Sequence, residues 1–255
     1  FPSRMAVQLG RETGLDVRPA ANAFEAVASR DALVEVSGTL KTVAVSMTIV
    51  ANNLRWLSSG PRRGIGEIHL PELQPGSSIM PGKVNPVIPE VVLMVAAQVI
   101  GNDATVTWSN ALGSNFQLNV MMPVLAFNLI QSINLLANAA KALDEQCVRG
   151  LVADEARCRE SIEQSLAMCT ALAPRLGYDL AAAVARNAHA SGRTVREVAL
   201  EIAGQPVEQV AFLLNTTATL PNAAATAPSA SELEALLDPA TQTTRGGAPG
   251  DPVKA

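Results

Sequence analysis

The feature that most constrains the fold is a run of apolar residues between Leu33 and Leu57, spaced alternately three and four apart. Its members are Leu33, Val36, Leu40, Val43, Met47, Val50, Leu54 and Leu57. Spacing of this kind over about three heptads is the a/d seam of a long bundle helix. The helix is predicted to end at SSGPRRG, because Gly60 and Pro61 stop helix propagation.

Two more long helices are predicted. The second starts at Asn85 or Pro86 and runs to about residue 110, because Asn is a favoured N-cap and Pro suits the first helical position. The third spans roughly 117–147, where Pro123 marks a kink or a late start. Shorter helices are predicted near 154–172, 179–190, 194–203 and 206–215. The expected fold is all-α, with a long-helix bundle over 1–152 and a small helical C-terminal domain over 153–215.

Residues 216–255 are predicted to lie outside both domains. The stretch 216–228, TTATLPNAAATAP, is typical of a flexible linker. Ser229 with Glu232, and Ser231 with Glu234, form overlapping capping boxes for one short helix over 229–238. The tail from Ala240 is expected to be disordered.

Composition and charge argue against several classes of partner. A net charge of −4 gives no basic footprint for nucleic acid or an anionic membrane. Polar residues interrupt every apolar run, so no membrane-spanning helix is predicted. The three cysteines, Cys147, Cys158 and Cys169, fit neither a disulfide framework nor a zinc site, and we expect buried, reduced thiols in a cytosol-like compartment.

The segment GSSIMPGKVNP, residues 76–86, interrupts this helical pattern. It belongs to a connection of about residues 58 to 84, and structureless stretches of that length within a compact domain are usually functional. Lys83 and Asn85 directly precede a predicted helix N-terminus, which attracts anions through its unpaired N–H groups and its dipole. The residues alone leave two interpretations open, a small-anion site and a solvated loop.

The other loop residues allow chemistry without identifying it. Gly76 and Gly82 permit close backbone approach or a positive φ, and Ser77 and Ser78 could each be a nucleophile, a base or a donor. The spacing does not fit a Walker loop, and the chain has no Gly-x-Ser-x-Gly elbow.

GSSIMPGKVNP resembles the signature of the fumarase/aspartase superfamily, whose members eliminate a group from the carbon β to a carboxylate. The resemblance extends from near residue 1 to about 203, departs over 204–228 and resumes in SELEALLDP. Within that superfamily, NAFEAVASRDALVEVSG, RWLSSGPR and GSNFQLN look more like class II fumarase than aspartate ammonia-lyase.

The resemblance implies reversible hydration of fumarate to (S)-malate through an aci-carboxylate, with no metal or organic cofactor. Ser77 would be the base that removes a proton from the carbon next to a carboxylate. Lys83 and Asn85 would hold the substrate carboxylate and the intermediate. Supporting roles in the loop would fall to Gly76, Ser78 and Gly82.

Glu90 matches a family carboxylate that pairs with a catalytic histidine. That histidine lies in a Thr-His segment upstream of everything in this sequence. The two histidines present, His69 and His189, match no family catalytic position, and both are expected to be structural. The resemblance therefore implies the C-terminal portion of an enzyme, inactive on its own.

The resemblance also implies a cytoplasmic homotetramer of the tricarboxylic acid cycle, whose active sites combine residues of three subunits. Its only other partner would be the small dicarboxylate substrate. Two alternatives stay open at the level of sequence. The chain could be a fragment of an aspartate ammonia-lyase, or a helical assembly module without catalytic activity.

Overall fold

The computed structural model describes residues 1–221 and 225–242, and the chain divides into two compact units between Ala153 and Asp154. The all-α prediction is confirmed. The first unit contains α1 (Pro2–Thr13), α2 (Ala23–Ala28), α3 (Asp31–Leu57), α4 (Val87–Gly113), α5 (Met122–Gln146), a 3-10 turn (Val148–Gly150), and the two-residue strands β1 (Ile68–His69) and β2 (Val152–Ala153).

Helix α3 has the predicted length, but its buried face differs from the predicted seam. The buried residues are Ser37, Ala44 and Ala51, one per heptad, where Val36, Val43 and Val50 were expected. These three valines are 44–49% exposed. Small side chains at the buried positions allow a neighbouring helix to approach closely, which a ranking by hydrophobicity does not reveal.

Helix α4 packs against both α3 and α5, and its apolar residues fill the space between them. Val92 lies in one cluster with Ala51 and with Ala139 and Leu143 of α5. Helix α5 begins at Met122 rather than near 117, because Pro123 occupies its first turn, where no N–H partner is required. The buried apolar residues of the three helices form three clusters, which together make the core of this unit.

Two buried polar groups cross this core. Asp103 of α4 accepts hydrogen bonds from Ser37 Oγ at 2.8 Å and from Lys41 Nζ at 2.5 Å, both on α3. Its neighbour Asn102 donates to Ser132 Oγ at 3.0 Å and to Gln131 Oε1 at 3.0 Å on α5. These pairs are satisfied only at one alignment of the three helices, so they favour a single register.

Three stretches of the described chain, Asp31–Leu57, Val87–Gly113 and Met122–Gly150, are long and apolar enough to cross a membrane by length and composition alone. The prediction of no such helix is not supported on this criterion, because it demanded an uninterrupted apolar run. In the most apolar 18-residue segment of each helix, only 11% to 33% of the segment is buried. The helices therefore present apolar outer faces that the first unit does not cover.

The second unit is a bundle of shorter helices. They are α6 (Glu155–Gln164), a 3-10 helix (Leu166–Leu172), α7 (Ala173–Leu176), α8 (Tyr178–Ser191), α9 (Val195–Glu201), α10 (Val207–Leu213), α11 (Ala230–Leu236) and α12 (Pro239–Gln242). Leu176, Val184 and Ile202 are fully buried in its core, with Leu233 of α11 and Leu237 just after that helix. Helix α11 therefore belongs to this unit.

Two described parts of the segment 216–228 are anchored in the core and so differ from the predicted flexible linker. Leu220 and Ala227 are buried in the core of the second unit. The Ala227 N–H donates to the Gln205 carbonyl at 2.9 Å. The polar, Pro- and Ala-containing composition gave no sign of these anchors, which depend on the tertiary fold.

The capping box predicted at Ser229 is present, with Glu232 as its partner. The overlapping box at Ser231 is absent, since Glu234 pairs with Arg196 instead. The predicted disordered tail lies outside the described residues beyond 242, and its start falls within α12.

Candidate active site

The loop 76–86 lies between β1 and α4 and is closed at its neck by two hydrogen bonds. The Gly76 N–H donates to the Lys83 carbonyl at 2.8 Å. The Asn85 side-chain amide donates through Nδ2 to the Gly76 carbonyl at 2.7 Å. We call this pair of bonds the clasp. It brings together Gly76, Lys83 and Asn85, which are separated by up to nine residues in the sequence.

The clasp requires glycine at position 76. A Cβ there would meet the Lys83 carbonyl oxygen and lie 2.7 Å from the Asn85 nitrogen, closer than real Cβ contacts allow. Gly82 has a φ of +76°, in the left-handed region that side chains disfavour. The two glycines predicted to support the loop thus have different physical reasons for being there.

Within the loop, the Ser77 hydroxyl oxygen accepts two backbone hydrogen bonds. The donors are the N–H groups of Ile79 at 3.1 Å and Met80 at 3.0 Å. Donors aimed at one oxygen stabilise negative charge on it, which is the condition under which a serine hydroxyl can act as a base. Ser77 is half-buried, whereas Ser78 is exposed.

The cationic side chain of the loop, Lys83, points outward. It is exposed, and in the part of the chain that the structure describes it makes no ion pair. An ammonium group in this state can meet an anionic ligand without first breaking a bond. The loop therefore combines a serine oxygen that accepts two N–H hydrogen bonds with an accessible positive charge.

Asn85 differs from its predicted role as a helix cap. Helix α4 begins at Val87, its N-cap residue is Pro86, and no side chain caps it. The Asn85 amide is engaged with Gly76 instead. The prediction of an N-cap was wrong because the sequence pattern allows both the local cap and the bond across the loop.

Glu90 lies in the first turn of α4, and its nearest cation is Arg55 in the last turn of α3. The distance from Arg55 Nη2 to Glu90 Oε1 is 3.9 Å, and the two side chains are 39% and 37% exposed. Arg55 was not among the residues predicted for the site, because its approach to Glu90 depends on the packing of α3 against α4.

The two histidines lie in other elements of secondary structure. His69 is in β1, paired with Val152 of β2. His189 is exposed in the last turn of α8, where a cation is favoured. Among the described residues, no group of three or more His, Cys, Asp or Glu is arranged to hold a metal ion.

The three cysteines are not joined by a disulfide in the described part of the chain. Cys147 is buried at the end of α5, and its removal from water raises the pKa of the thiol. Cys158 and Cys169 are only partly buried, which is less than the sequence predicted.

Two family models match the sequence. The model described as "Lyase" matches residues 1–101, and the one described as "Fumarase C C-terminus" matches residues 168–218. The first match contains the whole loop 76–86. The second lies within the helical bundle of the second unit.

Individual relatives agree with these matches. The chain is 50% identical to fumarate hydratase class II of Mycobacterium tuberculosis over 79% of its length and 42% of the relative. It is 48% identical to mitochondrial fumarate hydratase of Saccharomyces cerevisiae over 79% of its length and 41% of that protein.

A solved structure extends the comparison to most of the fold. The class II fumarase of Schistosoma mansoni superposes with a TM-score of 0.78 at 30% sequence identity, covering 93% of this chain and 48% of that one. The chain therefore spans less than half the length of the relatives that it matches.

Proposed function

Because the chain belongs to the fumarase/aspartase superfamily and matches the C-terminal portion of its class II fumarases, we propose that it takes part in the reversible hydration of fumarate to (S)-malate. The observation that carries this proposal is the Ser77 hydroxyl oxygen held by two backbone N–H groups.

In the direction from malate to fumarate, Ser77 removes the proton from the carbon next to a carboxylate. The alkoxide that accepts this proton is stabilised by the N–H groups of Ile79 and Met80. Deprotonation places a second negative charge on the substrate carboxylate. Lys83 and the free N–H of Asn85 meet that charge, and because the charge grows toward the transition state, they lower the barrier.

Departure of the hydroxyl group needs a proton donor, and neither His69 nor His189 is expected to be the family's catalytic histidine. We assign this role to a histidine from a polypeptide segment outside the sequence, oriented by the Glu90 carboxylate. Glu90 is suited to the task because it is partly exposed at the start of α4, on the helix that follows the loop. The scheme uses protein donors and needs no metal or organic cofactor.

We propose that this segment joins the chain in a homotetramer that buries the outer faces of α3, α4 and α5. The half-exposed valines of α3, Val36, Val43 and Val50, form an apolar stripe along one such face. Long helices of this kind pack together in helical bundles. Burial between subunits accounts for helices whose composition would otherwise suit a membrane. The reduced thiols suit the cytoplasm.

The test combines the chain with the N-terminal portion of a class II fumarate hydratase relative and follows fumarate absorbance and malate formation. We expect hydration by the combination and negligible turnover by the chain alone. Ser77→Ala should lower kcat by about 100-fold or more. Ser78→Ala, which removes an exposed hydroxyl outside the Ser77 hydrogen bonds, should lower it by less than about tenfold.

Other outcomes would select the competing functions. Consumption of fumarate only when ammonia is present would identify an aspartate ammonia-lyase. Equal activity of the wild type and Ser77→Ala would leave an assembly module in which the loop has no catalytic role.

A further inference from the structure

Asn85 occupies a position in the fold that substrate binding alone does not explain. Its Nδ2 donates to the Gly76 carbonyl at 2.7 Å, nine residues earlier in the chain. That carbonyl and the Ser77 N–H belong to one planar peptide group. A hydrogen bond that fixes the direction of the Gly76 carbonyl therefore also fixes the orientation of the Gly76–Ser77 peptide plane, to which the Ser77 backbone nitrogen belongs.

From this geometry we propose that Asn85 is a positioning residue for Ser77, in addition to the ligand role given above; the inference rests on the proposed function of Ser77 as the base. The clasp holds Gly76 on both sides, since its N–H is bonded to the Lys83 carbonyl. Of the two hydrogen bonds in the clasp, only the one from Asn85 involves a side chain, because the bond from Gly76 to Lys83 joins two backbone groups. Changing residue 85 therefore tests the clasp without altering the backbone.

The chemistry of the amide permits both roles at once. Asparagine has two N–H donors and one acceptor oxygen. One N–H is used by Gly76, which leaves the second N–H for a substrate carboxylate. Aspartate has the same shape but no donor when ionised, and it would place a carboxylate oxygen against the Gly76 carbonyl oxygen. Asn85→Asp should therefore open the clasp with little change in volume.

The first experiment measures amide hydrogen exchange by NMR in the full chain, for the wild type, Asn85→Asp and Asn85→Ala. The N–H groups of Ile79 and Met80 report on the Ser77 oxygen, because they donate to it. Both variants should raise their exchange rates by about tenfold. The Val99 amide in the buried part of α4 should not change, which separates loop opening from general unfolding.

The matched control is Asn115→Asp, the same chemical change in an exposed turn of the same unit. It should leave exchange at Ile79 and Met80 unchanged. Equal exchange in the wild type and both Asn85 variants would overturn the positioning role, because the Ser77 oxygen would then keep its donors without the clasp.

The second experiment measures kcat and KM in the combination described above. A positioning role predicts that Asn85→Asp lowers kcat by about 100-fold, since small misplacement of a reacting group has effects of that size. Loss of activity, in kcat or in KM, with unchanged amide exchange would overturn the positioning role and leave Asn85 as a ligand of the substrate and its transition state. Absence of fumarate hydration by the wild-type combination would refute the proposed function. The exchange rates would still decide whether the clasp holds the Ser77 oxygen against its donors.

Discussion

The guanidinium of Arg55 lies 3.9 Å from the carboxylate of Glu90, joining the last turn of α3 to the first turn of α4 across the intervening loop. At this distance the two groups attract each other without a hydrogen bond. Their charges also suit the helix ends on which they lie, since a cation is favoured at a C-terminus and an anion at an N-terminus.

Because both side chains are more than one third exposed, this ion pair should contribute little to stability. We expect Arg55→Gln and Glu90→Gln each to change the free energy of unfolding by less than about 1 kcal/mol. A double-mutant cycle in urea measures the coupling. A coupling of several kcal/mol would contradict the half-exposed geometry and indicate a buried pair.

Asp103 should behave differently, because its carboxylate is buried and holds Ser37 and Lys41. Asp103→Ala leaves both partners without their acceptor, and we expect a loss of about 2 kcal/mol, reduced from the usual figure because Lys41 can regain water. Urea unfolding measures this loss.

The control for this prediction is Asp144→Ala, which breaks an exposed pair with Arg149 and should cost clearly less stability than Asp103→Ala. Equal losses for the two variants would show that the Asp103 group does not stabilise the helix core.

Gly76→Ala tests the close approach at the clasp. The added methyl group would collide with the backbone at Lys83 and Asn85, so the loop should open while the helices remain folded. We expect fumarate hydration in the combined assembly to fall by about 100-fold, with an unchanged circular dichroism spectrum. Full activity of Gly76→Ala would show that opening the clasp does not affect catalysis.

Gly101→Ala is the control substitution in the same unit. A Cβ there would meet nothing within 4 Å, so the variant should stabilise α4 by about 0.5–1 kcal/mol.

The stability of the chain should fall in acid through Glu163. Hydrogen bonds from Arg196 lower the pKa of the Glu163 carboxyl below its ordinary value of 4.5, by more than burial raises it. A lowered pKa contributes stability that is fully present above the unfolded value and is lost as the pH falls through the folded value. The loss should therefore begin as the pH falls below the ordinary carboxyl value of 4.5 and grow at lower pH.

Thermal unfolding between neutral pH and about pH 3 checks this prediction. Arg196→Gln, which also frees Glu234, should weaken the pH dependence. Arg159→Gln, which breaks a fully exposed pair with Glu155, should not. An Arg196→Gln curve parallel to that of the wild type would contradict the assignment.

How much the sequence predicted depends on whether a feature is local. The long helices followed from heptad spacing and from Pro123, because both act within a few residues. The buried face of α3 was displaced by one residue, since Ser37, Ala44 and Ala51 are buried for their small size against α4. Periodicity alone favours the larger valines beside them.

The same distinction applies to the site. The loop and its glycines could be predicted from residue types and from the resemblance, whereas the roles of Ser77 and Lys83 stay predictions. The bond from Asn85 to Gly76 could not be predicted, because Asn85 is equally suited to cap a helix. Arg55 was missed because it lies far from Glu90 in sequence, and their proximity depends on how α3 and α4 pack.

The most direct test of the account is a crystal structure of the combined assembly with a four-carbon dicarboxylate inhibitor. The account predicts one inhibitor carboxylate within about 3 Å of Lys83 Nζ and Asn85 Nδ2, and the adjacent carbon facing Ser77 Oγ. An inhibitor that competes with fumarate yet binds away from the loop 76–86 would contradict it.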